Sequence, residues 1–99
     1  MSYSYLGTIR TQPGRRDEVA RSLADGAAAL TELGCLIYLV NRDVEDPDSV
    51  VVFEVWTSKQ AHDDSLQVPA VRAAIAATMP SLTGEFSGRE LEPVGGLGL

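Results

Sequence analysis

Only one side chain in this sequence, His62, has an ordinary pKa near neutrality, and a lone imidazole can act as a general base toward a phenolic proton. It is flanked by Asp63 and Asp64, which suits a surface histidine equally well, and the residues leave both readings open. Glu54 stands in an apolar run, where a carboxylate needs a partner or a raised pKa. Arg72 or Arg42 could be that partner in a structural ion pair. Trp56, two residues later and so on the same strand face, offers a flat apolar wall with one N–H to donate, or a plain core residue. Tyr38 interrupts an aliphatic run, and its hydroxyl can orient a substrate oxygen or bond a backbone carbonyl. Tyr5 and Thr8 can line the same cavity or an edge. Cys35 sits in apolar company with no base or cation beside it, a pattern of buried packing.

Other chemistries find no support. A single cysteine excludes an internal disulfide, and no Cys/His cluster has the spacing of a zinc site. There is no Ser-His-Asp order and no phosphate loop; Gly95-Gly96-x-Gly98 precedes no helix. No metal and no cofactor are expected. Eight basic against fourteen acidic residues leave a net charge of −6, which disfavours nucleic acid and anionic membrane surfaces as partners. No apolar stretch approaches the roughly 20 residues that span a bilayer. Met1–Tyr5 lacks the basic and apolar regions of a secretion leader, so the expected location is cytoplasmic.

The elements that must hold these groups follow from hydrophobic spacing. Large apolar residues alternate along Tyr3–Arg10, predicting a first strand that Pro13-Gly14 ends. Val19, Leu23, Ala27, Leu30 and Leu33 recur at helical spacing, with Asp17 and Glu18 in the first turn and Gly34 as the residue after the helix. Cys35–Val40 predicts a second strand, Glu45–Ser49 a turn, and Val50–Trp56 a third strand closing an antiparallel hairpin. Thr57-Ser58 can cap a short helix over Lys59–Leu66. Pro69 suits the first position of another helix, with Val71, Ile75 and Met79 on one face and Pro80 as its stop. Thr83–Leu91 predicts a fourth strand. The order β-α-β-β-α-β is the α+β, ferredoxin-like pattern of an antiparallel sheet covered by helices on one face. One domain over residues 1–93 is expected, followed by a flexible glycine-rich tail over 94–99.

Both alternating sets of the third strand are apolar: Val50, Val52 and Trp56 on one side, Val51, Phe53 and Val55 on the other. A strand half in water alternates with polar residues, so this one calls for cover on both faces. The chain has helix enough for one. A second copy laid sheet against sheet would cover the other, so a homodimer through the sheet faces is the expected assembly.

Pro13-Gly14 with Asp17-Glu18, Gly34-Cys35-Leu36-x-Tyr38, Arg42-Asp43, Asp46-Pro47, Phe53-Glu54-Val55-Trp56 and Ala61-His62, in this order and spacing, resemble the antibiotic biosynthesis monooxygenase domain family. The likeness runs from about Ile9 to about Met79. It implies a ferredoxin-like fold assembled as a dimeric α+β barrel. It also implies cofactor-independent oxidation of an electron-rich aromatic, a quinol or hydroxylated polyketide, by O₂. In that setting His62 is the base and Arg72 a stabiliser of the developing anion. Trp56, Tyr38, Tyr5 and Glu54 surround the substrate, together with Ser65, which stands where the family often has a second histidine. That departure, with Ala70 where an aromatic or histidine is common, argues against paired-histidine or metal chemistry. Haem-degrading relatives carry an asparagine on the first strand, and Tyr3–Arg10 has none. A non-catalytic small-molecule-binding dimer, or an isomerase or lyase on a small oxygenated metabolite, are the competing readings.

Overall fold

The computed structural model describes residues 2–99. Four strands, β1 (Tyr3–Thr11), β2 (Cys35–Arg42), β3 (Ser49–Trp56) and β4 (Leu82–Leu91), form one antiparallel sheet in the order β2-β3-β1-β4. Helix α1 (Arg16–Gly26) connects β1 to β2, and α2 (Lys59–Ser65) and α3 (Pro69–Thr78) connect β3 to β4. This is the expected α+β, ferredoxin-like arrangement, with the broken second helical segment in place.

The long first helix departs from expectation. It gives way at Gly26 to a 3-10 turn over Ala27–Leu33. A 3-10 helix repeats every three residues and so stacks Leu30 directly over Leu33. Both then pack against the cluster of Tyr3, Cys35 and Trp56. Gly34 closes the turn at φ +102°, donating its N–H to Leu30 and Thr31. The α2 cap is as the sequence suggests: Ser58 Oγ accepts from the Ala61 N–H at 3.0 Å. Pro69 opens α3, and Met79–Ser81 forms a short 3-10 turn around Pro80.

Two clusters lie on the helix face of the sheet. Val19 from α1 meets Val50, Val52 and Leu82, with Ile9, Leu23 and Tyr38 against them. Tyr3, Cys35 and Trp56 form the second, with Tyr5, Leu30, Leu33 and Ala61 around them. Helix α3 meets the rest of the chain chiefly at α1 and at the turn that follows it, and among its residues only Thr78 is buried. β4 is the thin edge: after Leu82 every one of its residues is exposed.

The opposite face of the sheet carries Val51, Phe53 and Val55 from β3, with Ile37 and Leu39 beside them on β2. Val51 and Phe53 are half-buried and Leu39 is exposed, while Val55 is fully covered. Near Val55 the chain beyond β4 comes back to the far edge: a Cβ on Gly98 would lie 3.7 Å from Ile37 Cδ1.

Candidate functional site

Strand register assembles the candidate site. Tyr3 pairs with Trp56 and Tyr5 with Glu54 across β1 and β3, and Tyr38 pairs with Glu54 across β2 and β3. Directly opposed residues of antiparallel strands project to one face, so these five side chains share the helix side of the sheet. Helix α2 then brings His62 down onto them. Its ring centroid lies 5.1 Å from Tyr3, 5.8 Å from Tyr5 at an interplanar angle of 27°, and 5.5 Å from Trp56 edge-on.

The polar contacts are few and directed. Trp56 Nε1 donates to Glu54 Oε1 at 2.9 Å. His62 Nε2 stands 3.9 Å from the same Oε1, and His62 Nδ1 lies 3.0 Å from Asp63 Oδ1. With Nδ1–H donated to Asp63, Nε2 is left as the nitrogen facing Glu54, a carboxylate on each side of the ring. Burial pushes the Glu54 carboxyl up, against the opposing pull of the Trp56 N–H and the His62 charge. Burial, and then the Glu54 charge, raises the Tyr38 phenol to about 12, so it stays a neutral hydroxyl. Lys59 spans the end of the cluster, 3.3 Å from Glu90 on β4 and 3.6 Å from Asp63, with its ammonium 5.2 Å from the Tyr3 ring centre.

The partner that the sequence suggested for Glu54 is not the one the fold supplies. Arg42 extends instead to Asp17 at 3.2 Å, and Arg72 is exposed on α3, paired with no carboxylate among the described residues. Glu54 is held by an indole and an imidazole because its own strand face carries Trp56 and α2 lies over it. Ser65 is buried and donates its hydroxyl to the His62 carbonyl at 2.6 Å, so it secures the α2 backbone. Cys35 is buried, its thiol raised to about 11 chiefly by desolvation, an inert core group. Sequence reasoning passed over Tyr3. Its signal was there, since Tyr3 and Tyr5 share a strand face, but its place beside His62 depends on where α2 lands. Among the described residues, no group of three or more His, Cys, Asp or Glu side chains converges as a metal site. No helix is long and apolar enough to cross a membrane.

The sequence profile of the family described as antibiotic biosynthesis monooxygenase matches residues 2–77. The chain belongs to that family. Solved structures agree with this. A candidate antibiotic biosynthesis monooxygenase from Chloroflexus aurantiacus is 39% identical, covers 99% of this chain and 98% of its own, and superposes with a TM-score of 0.87. A second candidate member, from Caulobacter crescentus, is 26% identical over 95% of this chain and 91% of its own, with a TM-score of 0.85. SnoaB, a cofactor-independent oxygenase from Streptomyces nogalater, shares the fold at 18% identity and a TM-score of 0.79, covering 97% of this chain and 96% of its own. No curated protein matches the chain at a significant level.

Proposed function

We propose that this member of the antibiotic biosynthesis monooxygenase family oxidises an electron-rich aromatic, a quinol or hydroxylated polyketide, with O₂ and without an added cofactor. The observation that carries the reading is His62. It is the sole histidine, and it stands in an aromatic enclosure with its Nδ1 held by Asp63 and its Nε2 directed at Glu54. A flat phenol laid against Tyr5 gives its proton to Nε2. The resulting anion passes one electron to O₂, forming superoxide and a ring radical. Their recombination makes a carbon–oxygen bond at a ring carbon bearing hydrogen, and the hydroperoxide loses water to leave a quinone. One O₂ is consumed, one oxygen atom enters the product and the other leaves as water. Tyr38, kept neutral, serves as a hydrogen-bond donor beside the enclosure. The chain acts as a homodimer, the Val51–Phe53–Leu39 face of each copy covering the other. A cytoplasmic location fits an intracellular aromatic substrate.

Oxygen uptake by the purified, metal-free protein with a panel of naphthoquinols and anthrones tests this, with ¹⁸O₂ tracing the product oxygen. The expected result is one ¹⁸O atom per product, and a rate about 10²–10⁴-fold lower in His62→Ala, the usual scale of a lost general base. Undiminished uptake in His62→Ala overturns the role of the histidine. Conversion that persists without oxygen points instead to an isomerase.

A further inference from the structure

A neutral imidazole carries one ring proton, and at His62 two carboxylates compete for the hydrogen bond that proton makes. Asp63 faces Nδ1 and Glu54 faces Nε2. The winner decides what Nε2 can do, because only the ring nitrogen without hydrogen can accept a proton.

The two sides are unequal. Asp63 Oδ1 lies 3.0 Å from Nδ1, an ordinary hydrogen-bond length, whereas Glu54 Oε1 stands 3.9 Å from Nε2, beyond hydrogen-bond reach. That same Oε1 already accepts the Trp56 N–H at 2.9 Å. Asp63, however, is 48% exposed, and an aspartate in water has several rotamers open to it. Lys59 supplies the restraint. It lies one turn earlier on α2, so Lys59, His62 and Asp63 share one face of the helix. Its ammonium is 3.6 Å from Asp63 Oδ2, which leaves Oδ1 for the imidazole. It is also 3.3 Å from Glu90 Oε1 on β4 and 5.2 Å from the Tyr3 ring centre, so it ties the helix bearing His62 to the sheet. Asp64, the other acid beside the histidine, is drawn away, its Oδ1 accepting from Gln60 at 2.7 Å. The hydrogen bond from His62, ahead of the Lys59 charge, holds the Asp63 carboxyl below its usual 3.8, so Asp63 is an ionised acceptor at neutral pH.

We propose that Asp63 and Lys59 are positioning residues for the oxidation: together they keep the His62 proton on Nδ1 and so leave Nε2 free to take a proton from the substrate. The proposal rests on the reading of His62 as the base, and it adds the groups that make one particular nitrogen basic. Both act through the imidazole and not on the substrate. Without them nothing pins the proton to Nδ1.

The sole histidine makes the test direct. In ¹⁵N-labelled protein with the ring neutral, two-bond ¹H–¹⁵N correlation spectra distinguish the protonated ring nitrogen from the bare one. The expected result for the unmodified protein is hydrogen on Nδ1 and none on Nε2. Lys59→Ala moves the tautomer ratio about two- to fivefold toward Nε2–H, the scale of an exposed ion pair, and Lys59→Arg restores it. Asp63→Asn, whose amide can donate to Nδ1, reverses the tautomer and lowers kcat for oxygen uptake about 10²–10⁴-fold with KM little changed. Both side chains are about half exposed, and the measurement on the unmodified protein needs no variant at all. Hydrogen on Nε2 in the unmodified protein, or a ratio that either Lys59→Ala or Asp63→Asn leaves unmoved, overturns the proposal. An Nδ1–H imidazole in a protein that takes up no oxygen refutes the monooxygenase reading alone. Oxygen uptake by a protein whose imidazole carries its hydrogen on Nε2 refutes this proposal alone.

Discussion

Replacing Trp56 by phenylalanine removes one N–H from a buried carboxylate, and the consequence can be worked through. The bond to Glu54 is 2.9 Å long and its acceptor is a side chain only 15% exposed. Hydrogen bonds to charged groups contribute about 1.5–3 kcal/mol. Exchanging indole for phenyl at a site 1% exposed also leaves a void, costing about 1–2 kcal/mol more. The two parts respond differently to pH. Burial already raises the Glu54 carboxyl above its usual 4.5, so folding favours its protonated form. Its contribution to stability is therefore present at low pH and is lost as pH rises through the folded value. Without the indole N–H, which opposes that rise, the carboxyl climbs further and this loss grows. Urea denaturation should show Trp56→Phe less stable by about 2.5–5 kcal/mol at pH 7.5, and closer to the unmodified protein at pH 5. In a Glu54→Met background only the void remains, giving a coupling energy of about 1.5–3 kcal/mol. A deficit identical at the two pH values, with coupling below about 0.5 kcal/mol, refutes the assignment of Glu54 as a charge held by Trp56.

Light scattering at micromolar concentration should give twice the chain mass, and Phe53→Glu, which sets a charge on the helix-free face, should give a monomer; a monomeric unmodified protein refutes the sheet-to-sheet assembly. In the β2–β3 hairpin, Asp46 accepts from the Asp48 N–H at 2.9 Å, the Ser49 hydroxyl at 2.8 Å and Arg10 at 2.8 Å. The Asp48 N–H first, then Ser49, holds its carboxyl below the usual 3.8, so its stabilising contribution is present above that value and disappears as pH falls through the lower folded one. Asp46→Asn should lower the melting temperature at pH 7 with the gap closing below about pH 4, and equal melting temperatures at pH 7 would remove Asp46 from the account.

The parts of this fold that were legible in the sequence are those set by local pattern. Alternation along Val50–Trp56, the Ser58 cap, Pro69 at a helix start and Gly34 after a turn each act within a few residues, and each appears where expected. The 3-10 turn over Ala27–Leu33 was hidden because its apolar residues fit either helical period, and only packing onto Cys35 and Trp56 decides between them. In the site, period-two reasoning placed Glu54 and Trp56 on one face correctly. It could not choose the Glu54 partner, since charge alone favoured an arginine and the packing of α2 supplied His62. Ser65 looked available because it is polar and near His62, but its place on the inner side of a seven-residue helix turns it to the backbone.

The sole indole of the chain touches the two groups whose protonation matters most here, Glu54 through its N–H and His62 along its edge. The protein thus carries its own optical reporter. Emission from a ring so well shielded starts in the blue, and it answers to ionisation or occupancy within a few ångströms and to little else. Binding and titration can be followed by light in the unaltered molecule, with no dye attached.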